Sequence, residues 1–405
     1  MSERARAPRA DTPPGVGAGS RRRLRALAPA KINLGLLVGA VRASDGRHEL
    51  VSVMQSISLA DELTLEQAPA RGEAAGTARR EAAGTTRGGA AGTAPAATGA
   101  GCDELVCAGV PGDPGANLAA RALALFRERT GWDAPRQRLS VVKRIPLAAG
   151  LAGGSADAAA ALRLAAYASG VHDEALLAAL AAELGADVPA QVAPGRWLAT
   201  GAGERLQQLR APRATLGVLV VPVAAQLSTA AVYAQADRIA ERRGGAELER
   251  LSGELAAALA GGEQLPPQAL LVNDLQTAAL QLCPQIAHAL EQVRAAGAAH
   301  ALVSGSGPTV LGLFPSSERQ GAHQRNARAQ PNAGAPAGGH GPTAGDGSGG
   351  GGERIAAGAP AGGDGPTAAR RAAQLLAARS PRAICAVPVD ARFAQVRELS
   401  AAQRC

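Results

Sequence analysis

The stretch IPLAAGLAGGSAD, from Ile145 to Asp157, has the residue types of a phosphate cradle. Gly150, Gly153 and Gly154 stand among alanines, so little side-chain bulk keeps a ligand from the backbone. In such a loop, successive N–H groups and the unpaired N–H groups of the following helix converge on anionic oxygens. Ser155 can cap that helix, and its hydroxyl can also meet a phosphate or a magnesium ion. A tight loop with a capped helix and no ligand would use the same residues. No Gly-Lys-Ser/Thr follows, so this is not a Walker loop, and the spacing does not fit a dinucleotide fingerprint. The stretch says phosphate without saying which phosphate compound.

Chemistry needs more than a cradle. Lys31 and Lys143 are the only two lysines among 42 Lys and Arg residues. A compact ammonium on a strand can touch both a carboxylate and a reacting oxygen, which a broad guanidinium does less well; a lysine at a wet strand edge is the plain alternative. Asp187, in Gly185-Ala-Asp-Val-Pro189, follows a helix and precedes a strand. There it serves either as a turn former or as an exposed carboxylate able to accept a proton. Asn117 stands where a helix cap belongs, Asn273 and Asp274 at another helix start. Ser304-Gly305-Ser306-Gly307 lies between two strand patterns, as an ordinary hairpin turn or as a second loop of small residues.

The elements that must position these groups follow from periodicity. Residues 28–38 and 50–59 alternate apolar and polar positions and read as strands joined by a turn at 44–46. Helical spacing runs over 117–130, 155–167 and 174–184, with a strand at 138–142 leading into the glycine loop. A buried strand at 217–223 opens a second unit, with helices over 230–242, 253–259, 285–295 and 368–378 and strands over 299–303, 310–314 and 383–389. Mixed strands and helices in two layers give an α+β fold. Residues 1–26 form a basic leader, 27–210 a first domain and 211–400 a second. Residues 68–101 and 318–366 are low-complexity inserts that bury too little apolar surface to offset the entropy of ordering.

Composition narrows the function classes. The 405 residues are 46% hydrophobic but only 2% aromatic, so Ala, Leu and Val build the core. The net charge of +8 comes largely from the leader and low-complexity stretches; with no aromatic strand or Cys/His finger beside it, nucleic-acid binding is not expected. Five scattered cysteines fit neither a disulfide framework nor a zinc site, which suits a reduced cytoplasmic setting. No apolar run is long enough to span a membrane.

On these motifs the chain resembles the GHMP kinases, a superfamily of small-molecule kinases. Pro146 to Ala158 is similar to their phosphate-binding motif. APAKINLGL (28–36), DGRHEL (45–50), LGADVP (184–189) and VSGSGPTVLGLF (303–314) narrow the resemblance to the branch acting on a cytidine diphosphate methylerythritol, in the non-mevalonate route to isoprenoid precursors. The match spans nearly everything outside the leader and inserts. It implies a two-domain fold, with an N-terminal domain like domain 2 of ribosomal protein S5 and a ferredoxin-like C-terminal domain. It also implies ATP and Mg2+ as co-substrate and cofactor, and a monomer or homodimer with no nucleic-acid or membrane partner. Carried over by position, Lys31 lies beside the substrate hydroxyl and Asp187 is the general base. ATP meets Pro146, Leu147, Ala148, Ala149, Gly150, Leu151, Ala152, Gly153, Gly154, Ser155, Ala156 and Asn117, with Ser155 also toward the metal. Asn33, His48, Tyr233, Gly305, Ser306 and Gly307 meet the other substrate, His48 by hydrogen bonding the cytosine edge and Tyr233 by stacking. The chain departs from the pattern at Arg47, where a stacking tyrosine is usual, and at Ala152 and Ala156, where glycine and a second serine are common. DGRHEL and Tyr233 argue against a homoserine- or mevalonate-type member, which has no cytosine to hold. Lys31 and Asp187 argue against a catalytically silent relative.

Overall fold

Two strands longer than the sequence pattern suggests, β1 (Arg23–Val41) and β2 (His48–Gln67), form one antiparallel hairpin at the centre of the computed structural model. The structure describes residues 22–69, 103–110, 113–316, 364–377, 380 and 382–400. From Ala28 to Val38 β1 is buried without a break, because elements cover both of its faces. Alternation therefore fades over that stretch. The strand register slips between Pro29 and Lys31 and again between Asn33 and Gly35. Such bulges re-aim side chains, and here they lie on either side of Lys31 and Asn33.

The first sheet runs β11 (Arg397–Glu398), β1, β2, β4 (Gln137–Val142), β3 (Glu104–Cys107), while β5 (Arg196–Thr200) pairs with both β2 and β6 (Arg205–Leu209). Against it pack α1 (Leu118–Thr130), α2 (Gly153–Ser169), α3 (Glu174–Leu184) and the short α4 (Val188–Val192). In α2, Ala156, Ala158 to Ala161 and Ala165 are all buried. Methyl side chains let the helix come close to the hairpin, and this close packing uses the alanine excess. The second sheet has the order β10 (Ile384–Ala386), β7 (Leu216–Val221), β9 (Val310–Pro315), β8 (His300–Val303), all antiparallel. Its helices are α5 (Thr229–Ile239), α6 (Gly245–Leu259), α7 (Gln276–Leu282), α8 (Gln285–Ala295) and α9 (Gly365–Leu376).

The two layers are joined where residues 271–274 run beside β1. Leu36 N donates to Val272 O at 2.8 Å, and Asp274 N donates to Leu36 O at 2.9 Å. The Asp274 carboxylate accepts from Val38 N and takes both Nε and Nη2 of Arg243. Arg196, 1% exposed, donates to Gln55 and to the carbonyls of Glu263 and Gln264.

Several expectations need correction. The leader expected over 1–26 gives way to β1 at Arg23, and the insert expected over 318–366 ends by Gly365, where α9 begins; residues 1–21 and most of both inserts lie outside the described residues. The unit expected over 211–400 does not keep its end: β11 returns to pair with β1, and Arg163 of α2 donates to Ala394 O. Strands β3, β5, β6 and β11 and helix α7 had no periodic signal, being two to seven residues long. Cys107, Cys283 and Cys385 are free thiols, and no helix among the described residues is long and apolar enough to cross a membrane.

Candidate active site

Lys31 and Asn33 point from the bulged part of β1 to the same side, into a cavity of 530 Å³ between the two layers. Lys31 Nζ donates to Asn33 Oδ1 at 3.0 Å; Asn33 Nδ2 donates to Ser52 Oγ, which in turn donates to Gly35 O, both at 2.7 Å. This chain of bonds fixes the ammonium on a rigid strand. On its free side, 3.5 Å away, is Asp187 Oδ1. Asp187 stands at the start of α4, and not in a loop leading directly to a strand as the sequence suggested. Its side chain makes no capping hydrogen bond, so the carboxylate is left to face the cavity.

The glycine loop docks on β1 through backbone: Lys31 N donates to Leu151 O at 3.1 Å. Ala148, Gly150 and Ala152 all have left-handed φ angles, 52°, 69° and 54°, a conformation disfavoured for the two alanines and typical of loops shaped for function. Helix α2 starts at Gly153, with Ala152 at its cap position and no side-chain cap. Ser155 therefore lies inside the first turn and does not cap the helix, contrary to expectation. The first intrahelical bond is Ala156 N to Ala152 O, which leaves the N–H groups of Gly153, Gly154 and Ser155 for an anion. Among the expected loop residues, Gly150 and Ala152 line the cavity. Ala149, Leu151 and Ala156 are buried, and Leu147 is exposed. Asn117 caps α1, its Oδ1 accepting from Ala119 N at 2.9 Å; Leu118 beside it lies 3.6 Å from where a Cβ on Gly154 would sit.

The second small-residue loop comes from the other layer and touches the first. Ser304 Oγ donates to Gly150 O, and a Cβ on Gly150 would fall 2.6 Å from Ser304 O and 2.9 Å from Gly307 O. Gly150 is glycine for two reasons, its φ and this contact between loops. Gly305 and Ser306 line the cavity, with Ser306 Oγ 3.0 Å from Thr229 Oγ1, while Gly307 packs toward Val303 and Leu227.

The far wall holds Arg47, His48 and Tyr233. Arg47 is fixed by a bond from Nη2 to Ala202 O at 2.6 Å. His48 stacks on Tyr233, ring centroids 5.0 Å apart, with Nδ1 2.9 Å from Gly39 O and Nε2 3.3 Å from Asp237 Oδ2. Both ring nitrogens of His48 thus have protein oxygens nearby, and His48 covers one face of the Tyr233 ring. Burial chiefly, with Asp187 adding and Arg242 and Arg47 opposing, pushes the Tyr233 phenol up to about 12.

Two supporting groups were not given roles from sequence. Asn273 donates through Nδ2 to Val303 O and Gly305 O, at 2.8 and 2.7 Å, and so holds the second loop against β1; its place at a helix start was legible, its partners were not. Lys143 lies between Asp61 and Asp157 beneath the glycine loop, Nζ 2.5 and 2.7 Å from their carboxylates. Burial works against the Lys143 charge, but the two carboxylates outweigh it and raise the ammonium above the usual lysine value. Asp61 also accepts from the N–H groups of Arg144 and Ile145. Asp157 keeps one buried oxygen without a partner. Burial first, opposed by Lys143 and aided by Asp61, pushes the Asp157 carboxyl up to about 7.

The pattern described as the GHMP kinases N terminal domain matches residues 117–195, and that described as GHMP kinases C terminal matches 247–333. The 4-diphosphocytidyl-2-C-methyl-D-erythritol kinase of Anaeromyxobacter dehalogenans (strain 2CP-1) is 39% identical over 297 residues, 72% of this chain and 81% of that one. That of Thermobifida fusca is 42% identical over 292 residues, 72% of this chain and 86% of that one. A crystal structure of 4-(cytidine 5'-diphospho)-2C-methyl-D-erythritol kinase superposes with a TM-score of 0.57 at 27% identity, covering 90% of this chain and 98% of that one. The homoserine kinase from Cytophaga hutchinsonii superposes at 0.56 with 13% identity, over 95% and 99% of the two chains, a likeness of fold alone.

Proposed function

Since the chain belongs to the GHMP kinases, in the family of the 4-diphosphocytidyl-2-C-methyl-D-erythritol kinases, we propose that Lys31 and Asp187 carry the phosphoryl transfer characteristic of that family. The reaction moves the terminal phosphoryl group of ATP to the 2-hydroxyl of 4-diphosphocytidyl-2-C-methyl-D-erythritol, in the non-mevalonate pathway of isoprenoid precursor synthesis. The observation that carries the reading is the 3.5 Å approach of Lys31 Nζ to Asp187 Oδ1 on the wall of a cavity that Gly150 and Ala152 also line.

Asp187 accepts the proton of the substrate hydroxyl as its oxygen bonds to the terminal phosphorus and the bond from that phosphorus to the bridging oxygen breaks, releasing ADP. Lys31, 3.5 Å from that carboxylate, offsets charge on the transferring oxygens. The free N–H groups of Gly153, Gly154 and Ser155 and the small residues before them suit a triphosphate in shape and polarity. Phosphoryl transfer asks the protein mainly for position and charge neutralisation, which a strand-mounted ammonium and a fixed loop supply. Magnesium, which neutralises phosphate charge when bound, would be held mostly by phosphate oxygens and water, with Ser155 Oγ as the protein ligand. Asn33, Gly305 and Ser306 border the methylerythritol end. The pyrimidine lies toward Arg47, whose guanidinium plane takes the stacking place of the usual tyrosine.

The test offers purified protein with Mg2+ and ATP the cytidine-bearing alcohol, homoserine and mevalonate side by side. ADP release with the first alone is expected. Release with homoserine or mevalonate instead, or with none despite nucleotide binding, would overturn the assignment.

A further inference from the structure

We propose that Lys143, held between Asp61 and Asp157, is a positioning residue that ties the two ends of the glycine loop to each other and to β2, and thereby sets the spacing of the backbone N–H groups that face ATP. The inference deepens the kinase reading and rests on it.

The geometry has three parts. Where the loop leaves β4, Asp61 of β2 gathers the N–H groups of Arg144 and Ile145 on one carboxylate oxygen and Lys143 Nζ on the other. Where the loop enters α2, Asp157 accepts from the same ammonium. One cation thus closes a span of 14 residues at its base, with side-chain exposures of 13% for Lys143, 0% for Asp61 and 4% for Asp157. A Cβ on Gly153 would stand 3.4 Å from Nζ, which places the ammonium directly under the first residue of the helix.

The cradle itself has few side chains with which to hold its shape; its glycines and alanines admit many conformations, and three of them are left-handed. Rigidity must therefore come from outside the loop, and Lys143, absent from the cavity wall, supplies it at the base. Without the ammonium, both buried carboxylates lose their shared partner and nothing bridges the two ends of the loop. Arginine would not substitute, because a planar fork cannot direct one small charge at two carboxylates in this space.

The test compares the parent with Lys143→Met by calorimetric titration with Mg-ATP and by steady-state kinetics. The expected result is at least a tenfold weaker ATP dissociation constant, with KM for the cytidine-bearing alcohol within twofold at saturating ATP. Asp157→Leu leaves Lys143 paired with Asp61, so it remains measurable even if Lys143→Met fails to fold, and it shows the same ATP-selective loss. ATP affinity within twofold of the parent in these variants would overturn the inference, as would equal loss of both substrates in step with the melting temperature. A parent that binds no ATP would overturn the kinase reading and this inference with it.

Discussion

Replacing Asp187 with asparagine separates the two roles an aspartate can have at that position. The backbone there is ordinary, φ −85° and ψ −14°, and the side chain caps nothing, so asparagine, an equally good turn former, leaves the fold in place. Lys31 keeps its bond to Asn33 Oδ1 and loses only the charge of its neighbour. Two unit charges 3.5 Å apart attract by about 5 kcal/mol at an effective dielectric of about 20. The Asp187 side chain is 35% exposed, so solvent screening leaves roughly 1 kcal/mol as its share of stability. The chemical loss is larger, because the amide cannot take the hydroxyl proton: kcat should fall about 10²–10⁴-fold, or about 3–5 kcal/mol on the barrier. The assay is ADP release at saturating Mg-ATP and cytidine-bearing alcohol, with ATP affinity measured separately and expected within about twofold of the parent. A folded Asp187→Asn protein turning over at more than about a tenth of the parental rate would show that Asp187 is a turn residue and not the proton acceptor.

Gly150→Ala sets a methyl group 2.6 Å from Ser304 O at a φ of 69°, so the two loops must part; KM for ATP should rise about tenfold or more, equivalent to about 1.4 kcal/mol, and an unchanged KM would show that the contact is slack. Asn273→Asp keeps the acceptor for Leu275 N but loses the donors to Val303 O and Gly305 O. Urea unfolding should register a loss of about 1–3 kcal/mol, and a midpoint equal to the parent's would show that the two carbonyls find other partners. Glu62 is held below the usual carboxylate range chiefly by its hydrogen bond from Arg25, against the effect of burial. Its contribution to stability is therefore complete above the unfolded value of 4.5 and is lost as the pH falls through the lower folded value. Glu62→Gln should accordingly be less stable than the parent at neutral pH and converge with it in acid, whereas a gap that stays constant with pH would show that charge is not the cause.

Local residue types determined much of this protein. A run of glycine and alanine between a strand and a helix states its chemistry directly, since small residues expose backbone N–H groups wherever the loop is placed. Asn117 as a helix cap, and the strand that begins near residue 217, likewise follow from near neighbours in the chain. What depends on distant partners had no local signal. The pairing of Lys31 with Asp187 spans 156 positions, and Lys143 acquires its role from Asp61, 82 positions away on another strand; here the resemblance supplied Lys31 but not the clasp. His48 was expected to hydrogen-bond a cytosine edge, and nothing near it in the chain shows that Asp237 and Tyr233 of α5 stand beside its ring. The short strands β3, β6 and β11 are strands because a sheet edge was there to pair with. A sequence specifies what each residue can do within its own few neighbours; which charge meets which, and which side of a ring is left open, is set by elements that come together only when the hairpin and both sheets have closed.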